Sequence, residues 1–284
     1  DGVFEAADTV VVGGGGIMSD TSGAHPGASY LDIVARAGMQ GLLEGKPVYV
    51  TSVGAGPWVL ERSRMLAFAV SLLANRVGVR EQESYDHMRN LGVGEKKLVL
   101  GADLALLTPE LLPFRPAEGG KFGLQFDVNA FRDVAPNPAL PEIVETVGAY
   151  ARAHASDVVL LRNGKTASEI AESAPDAERL SYTTLEAFLP RLAGLRSLFT
   201  SHLHLAITSY SQRIPTYSIY VREKTRRFYE QIGHPERALD LRNATVEDTR
   251  RFLAAAESAT WGDDDESTLL RLKSEARTLI DFIR

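Results

Sequence analysis

The chain has 284 residues, of which 44% are hydrophobic and 24% charged, with a formal charge of -6 and no cysteine. That length and composition are those of a globular protein of about two domains. They exclude disulfides, thiolate metal sites and cysteine nucleophiles, and the acidic balance argues against a dedicated nucleic-acid binder, whose grip on phosphate backbones needs excess Lys and Arg. No apolar run approaches the roughly 18 to 20 residues that span a bilayer. Asp1 to Asp8 is acidic and unlike a signal peptide, so the expected location is cytoplasmic, including the inner face of the membrane.

In chain order, Ala7 to Val12 reads as a buried parallel-type strand running into Gly13-Gly14-Gly15-Gly16. A strand of central character so near the start implies that an N-terminal part of the first domain is missing from the sequence. The four glycines permit close backbone approach or positive φ, but they form neither a dinucleotide fingerprint nor a P-loop. Ser29 to Leu43 has helical apolar spacing, with Leu31, Val34 and Leu42 among the repeats. Val48 to Val53 is the next strand and ends on Gly54-Ala55-Gly56-Pro57. Glu61 to Ala74 reads as a helix, and Arg76 to Arg80 as a short strand emptying into Glu81-Gln82-Glu83-Ser84, which is expected to cap and charge a helix reaching Asn90. Lys97 to Asp103 closes the unit with Asp103 at a strand terminus.

Pro109 to Gly120 holds three prolines and two glycines and reads as a linker. The expected domains are therefore 1–112 and 121–284. Beyond the linker, strands are expected at Phe122 to Val128 and Asp157 to Leu161, helices at Ala139 to His154 and Thr184 to Leu192, and plain surface at Ala171 to Glu178. Val246 to Ala256 and Leu269 to Ile283 read as terminal amphipathic helices, the latter through Leu269, Leu272, Ala276, Leu279 and Ile283. Asp263-Asp264-Asp265-Glu266 between them reads as a solvated linker. Alternating strands and helices of this kind describe α/β architecture: two doubly wound Rossmann-like domains facing across a cleft, a GT-B-like arrangement.

The richest stretch is Ser201-His202-Leu203-His204-Leu205. It follows the strand Leu198-Phe199-Thr200 and precedes a helix-like segment, so two imidazoles sit at a strand-to-helix junction, where open α/β sheets place ligands. Ile214 to Tyr220 is the next strand, and Val221-Arg222-Glu223-Lys224-Thr225-Arg226-Arg227 sets four cations at its end. Such a place suits an anionic small molecule held by charge-assisted hydrogen bonds. His202 and His204 are two residues apart with no third ligand evident, so no metal site is expected.

These segments, in this order, resemble the polysaccharide pyruvyl transferase family. Gly13 to Asp20 is similar to the family's glycine-rich motif ending in Asp, Val53 to Pro57 to its GVGP segment, Val79 to Ser84 to its VRDxxS, and Gly101-Ala102-Asp103 to its DPA-type strand end. Ser201 to His204 resembles its S-x-R-L-H core, and Ile214 through Lys224, with Phe228 and Gly233, its closing segment. The resemblance implies transfer of the pyruvyl group of phosphoenolpyruvate, as donor substrate and without a further cofactor, to a sugar or glycan acceptor, forming a ketal on a cell-surface polysaccharide or its precursor. It places donor-binding and catalytic positions on Arg80, His202, Leu203 and His204. Two residues depart from the pattern: His202 stands where the family has Arg, and Glu81 where it has Asp.

The chemistry needs a proton for C3 of phosphoenolpyruvate, a base for the hydroxyl that adds to C2, and cations for the leaving phosphate. His204 is the acid/base candidate, because an unperturbed imidazole titrates near neutrality. Arg80, Arg222 and Lys224 are candidates for the anion. Glu81 and Asp103 are candidate bases, with orientation of Arg80 or helix capping as their alternative use. Asp20 and the glycines Gly14, Gly15, Gly54 and Gly56 are candidate substrate contacts. Two other readings stay open: a GT-B glycosyltransferase with a nucleotide-sugar donor, and a degenerate, non-catalytic relative that binds a glycan or a partner. A homo-oligomer and a peripheral membrane contact are compatible with all three.

Overall fold

The computed structural model describes residues 6–20, 30–112, 120–127, 137–162 and 169–283. The expected helix start at Ser29, the strand end at Val128 and linker residues 113–119 lie outside the described residues. The chain divides into two compact units: Asp1–Leu106 with Leu270–Arg284, and Leu107–Leu269. The change of unit thus precedes the proline-rich stretch, and Leu270–Arg284, expected with 121–284, groups with the first unit.

The first unit is built from β1 (Val10–Met18), α1 (Tyr30–Leu43), β2 (Val48–Ala55), α2 (Glu61–Leu73), β3 (Arg76–Val79), α3 (Gln82–Asn90) and β4 (Leu98–Leu100). All four strands are parallel, in the order β1-β2-β3-β4. Val50, Val53, Val77 and Val79 are wholly buried, as strands covered on both faces must be. β1, expected to be central, is an edge strand among the described residues. Gly78 and Gly101 leave room on the sheet for the chain's last helix: a Cβ at Gly101 would lie 2.4 Å from the Leu279 side chain. Thr51 fixes the same helix by donating its hydroxyl to the Leu279 carbonyl at 2.8 Å.

The second unit begins in α4 (Thr108–Leu111) and continues through β5 (Phe122–Gln125), α5 (Leu140–Ala153), β6 (Val158–Arg162), α6 (Glu169–Ser173), β7 (Glu178–Ser181), α7 (Leu185–Ala193) and β8 (Ser197–Thr200). It ends with α8 (Leu203–Tyr210), β9 (Thr216–Tyr220), α9 (Glu223–Gln231), β10 (Ala238–Asp240), α10 (Val246–Glu257) and the start of α11 (Asp263–Asp281). The parallel sheet runs β7-β6-β5-β8-β9-β10. Strand alternation feeds two cores. Val158 and Leu160 pack with Ile143, Val147, Phe252 and Leu253 of α5 and α10, whereas Val159 and Leu161 pack with Phe188, Leu189 and Leu205 of α7 and α8. Each such side chain contributes about 1.5 to 3 kcal/mol on burial.

Three expectations need correction here. The surface segment Ala171 to Glu178 holds the end of α6 and the start of edge strand β7. β10 was not anticipated at all. The acidic run Asp263 to Glu266 is no linker but the first turn of α11. Carboxylates suit a helix N-terminus, and two of these are held by ion pairs: Asp265 by Arg237 at 2.8 Å and Glu266 by Arg213 at 2.7 Å.

Candidate active site

In the second sheet the chain lays down β5, β6 and β7 in one direction, returns to the other side of β5 with β8, and continues to β9 and β10. The order reverses between β5 and β8, and the crevice outside the carboxyl ends of two such strands is where open α/β sheets bind ligands. Gln125 ends β5 and Thr200 ends β8, paired in register. Ser201 and His202 follow Thr200, with His202 as N-cap of α8. The two imidazoles therefore stand at the expected junction, with ring centroids 6.4 Å apart. α8 begins at Leu203, ahead of the Ala206 to Ser211 stretch whose small and apolar residues suggest a helix's first turns. His204 lies in the first helical turn. Leu203 is buried at 4% exposure, which leaves its main chain, at the helix start, as the part that can meet a ligand.

His202 is an exposed residue by its surface area, yet enough protein surrounds the imidazole to hold its pKa down to about 4. Desolvation is the first cause, the charges of His204 and Lys224 add to it, and Asp127 opposes. At neutral pH this imidazole is uncharged. It is thus a hydrogen-bonding group and not a cation at that pH.

The expected cationic turn is a helix. Arg222 is the N-cap of α9 and is exposed, and half-buried Lys224 sits in the first turn. Arg226 is committed to Glu223 and Glu230 at 2.6 and 2.5 Å. Arg222 and Lys224 are the cations that follow β9 directly, and Lys224 is near enough to His202 to depress its pKa.

In the first unit, Arg80, Glu81 and Asp103 come together at the ends of β3 and β4. The Arg80 guanidinium, only 4% exposed, donates to Asp103 at 2.6 Å and to Glu81 at 3.2 Å. Burial alone would lower its pKa, but Asp103 and then Glu81 outweigh that and raise it, so the group stays charged. One cation flanked by two buried carboxylates makes an ion-paired cluster at these strand ends. Glu81 is the N-cap of α3 but makes no side-chain cap; its carboxylate instead binds Arg80 and the Ser84 hydroxyl. Asp103 also accepts from the Ala105 amide at 3.0 Å.

The glycines divide. A Cβ at Gly54 would stand 3.3 Å from Arg80 Nη2, and one at Gly56 would stand 2.7 Å from the His87 ring. Both glycines make room for this protein's own side chains. Gly14 and Gly15 take φ of 78° and 80°, and no atom lies within 4 Å of a Cβ on Gly14. Asp20 accepts from the Val59 and Leu60 amides, so its Oδ2 caps the start of α2, some 40 residues on.

Sequence reasoning missed two residues of the second-unit edge. Gln125 binds the Thr200–Ser201 turn, and Asp127 both faces His202 electrostatically and donates its amide to Ser201 Oγ at 3.0 Å. The signal was present: a polar residue just past an apolar strand, the feature that singled out Asp103. Among the described residues no group of three or more His, Asp or Glu is placed to hold a metal, and no described helix is long and apolar enough to cross a membrane.

Solved structures define the class of fold as GT-B-like α/β. S. aureus MnaA with UDP is similar at a TM-score of 0.61 and 10% identity, covering 99% of this chain and 75% of that one. UDP-GlcNAc 2-epimerase from Neisseria meningitidis, bound to UDP-GlcNAc, is similar at 0.60 and 12%, covering 99% and 78%. A further UDP-N-acetylglucosamine 2-epimerase reaches 0.63 and 11%, covering 99% and 74%. Against the curated proteins the sequence has no match. The family is given by the sequence itself: residues 4–223 match polysaccharide pyruvyl transferase, and the chain belongs to that family.

Proposed function

We propose that the protein moves the pyruvyl group of phosphoenolpyruvate onto two hydroxyls of a sugar in a cell-surface polysaccharide or its precursor, closing a pyruvate ketal. The observation that carries this reading is the stretch Ser201-His202-Leu203-His204, which resembles the family's core motif with His202 in place of its Arg, standing at the strand-order reversal of a parallel sheet. In the first step a sugar hydroxyl adds to C2 of phosphoenolpyruvate, losing its proton, while C3 gains one. In the second, another hydroxyl attacks C2 and phosphate leaves. His204 is the group that moves the proton, an exchange worth about 10²- to 10⁴-fold in rate. Lys224 and Arg222 hold the anion, aided by the first amides of α8. His202, neutral at pH 7, orients the donor by a hydrogen bond rather than by charge. Arg80 enters as the group that neutralises Glu81 and Asp103 and fixes their strand ends.

The test is phosphate release from phosphoenolpyruvate in the presence of a panel of methyl hexosides. Turnover with at least one acceptor, lost in His204→Ala with the melting temperature kept, is the expected result. Full activity in that variant would remove His204 from the mechanism. The UDP named in the similar epimerase structures belongs to those proteins, and UDP-GlcNAc in the same assay distinguishes a nucleotide-sugar enzyme.

A further inference from the structure

Gln125 makes more bonds to the histidine-bearing turn than any fold requirement of β5 explains. Its Oε1 accepts from Thr200 Oγ1 at 2.6 Å, from the Ser201 amide at 3.0 Å and from Ser201 Oγ at 3.2 Å. Thr200 Oγ1 in turn accepts from the His202 amide at 3.0 Å, so the carboxamide is two hydrogen bonds from the N-cap of α8. Gln125 is 5% exposed and Thr200 wholly buried. A main-chain N–H can only donate, so the atom facing the Ser201 amide is the oxygen, and the orientation of the carboxamide is fixed without ambiguity. The nitrogen must then face away. No described residue accepts from Nε2, and it is not one of the fully buried atoms without a partner, so the nitrogen is not sealed off at the end of β5, beside the strand-order reversal.

We propose that Gln125 is a further binding and positioning residue of this site: Oε1 locks the turn that presents His202 and His204, and Nε2 donates to the carboxylate or phosphate of the donor. The second half rests on the phosphoenolpyruvate reading above. The first half does not.

Gln125→Glu and Gln125→Ala separate the two roles. Glu keeps an acceptor for Thr200 and Ser201 but puts a carboxylate oxygen where the donor was; Ala removes both. The Ser201 amide also donates to the Gln125 main-chain carbonyl at 3.1 Å, a bond that every variant keeps, so amide hydrogen exchange at His202, whose amide donates to Thr200 Oγ1, reads the lock, and calorimetric titration with phosphoenolpyruvate reads the anion contact. Exchange is expected to stay slow in the wild type and in Gln125→Glu and to accelerate in Gln125→Ala. Affinity is expected to fall about tenfold or more in both variants, the size of one hydrogen bond to a charged group. Wild-type affinity in Gln125→Glu overturns the donor role, and unchanged exchange in Gln125→Ala overturns the lock. A wild type that binds no phosphoenolpyruvate overturns the proposed function and the donor role with it, while the exchange result still decides the lock.

Discussion

His202 keeps its imidazole neutral by surroundings that disfavour the charged form, and this has a measurable sign. Its folded pKa lies near 4 against an ordinary value of 6.5. Between those values the unfolded chain binds a proton that the native state does not, so this residue's contribution to stability rises with pH across the window and is lost as pH falls from 6.5 towards 4. His202→Gln removes that slope. Urea midpoints at pH 4.5 and pH 7 are expected to differ less in the variant than in the wild type; an equal difference contradicts the neutral imidazole. Arg80 poses the opposite case, a cation whose removal strands two buried carboxylates. Arg80→Ala is expected to destabilise the first unit by about 3 to 5 kcal/mol, visible as a lower unfolding midpoint. A wild-type midpoint would mean that Glu81 and Asp103 do not depend on it.

Among elements, α11 shows how a local reading is overturned by a distant partner. Its four leading acids look like solvated linker, and nothing within ten residues says otherwise. Arg237 lies 28 residues away and grips Asp265 with two bonds, at 2.8 and 3.1 Å, while His234 stands 3.2 Å from the same carboxylate. Asp265→Ala leaves that guanidinium buried without its partner and is expected to lower stability by about 3 kcal/mol. Asp264→Ala, on the exposed side of the same turn, should stay within about 0.5 kcal/mol. Similar losses in the two variants would contradict the anchoring role of Asp265. The strands split in the same way. β2, β3, β6 and β8 are legible because strands buried on both faces are continuous apolar runs. β7 is an edge strand that buries Leu180 alone, after charged Glu178 and Arg179, and its pattern carries no such run. The His202–His204 junction was legible from its spacing, whereas Gln125 offered only a polar residue at the end of an apolar strand, and its partner Ser201 is 76 residues on, brought to it by the sheet alone.

For the whole molecule, the α/β class and the family were readable from ordered short motifs, and solved structures of 10 to 12% identity agree on the fold. What motif order did not convey is which motifs are chemistry and which are scaffold. Gly54, Gly56 and Arg80 belong to the family's pattern, but their side chains and spaces are used inside the first unit. Gln125, His202, His204, Arg222 and Lys224 stand at or just beyond the ends of β5, β8 and β9, and the proposed reading assigns the donor and its chemistry to them. The most direct measurement is therefore calorimetric titration of phosphoenolpyruvate into the wild type and Lys224→Ala, with UDP-GlcNAc as the control titrant. Saturable binding of phosphoenolpyruvate that weakens in Lys224→Ala, with no heat from UDP-GlcNAc, is the predicted result. Binding of UDP-GlcNAc alone, or phosphoenolpyruvate affinity indifferent to Lys224, would contradict it.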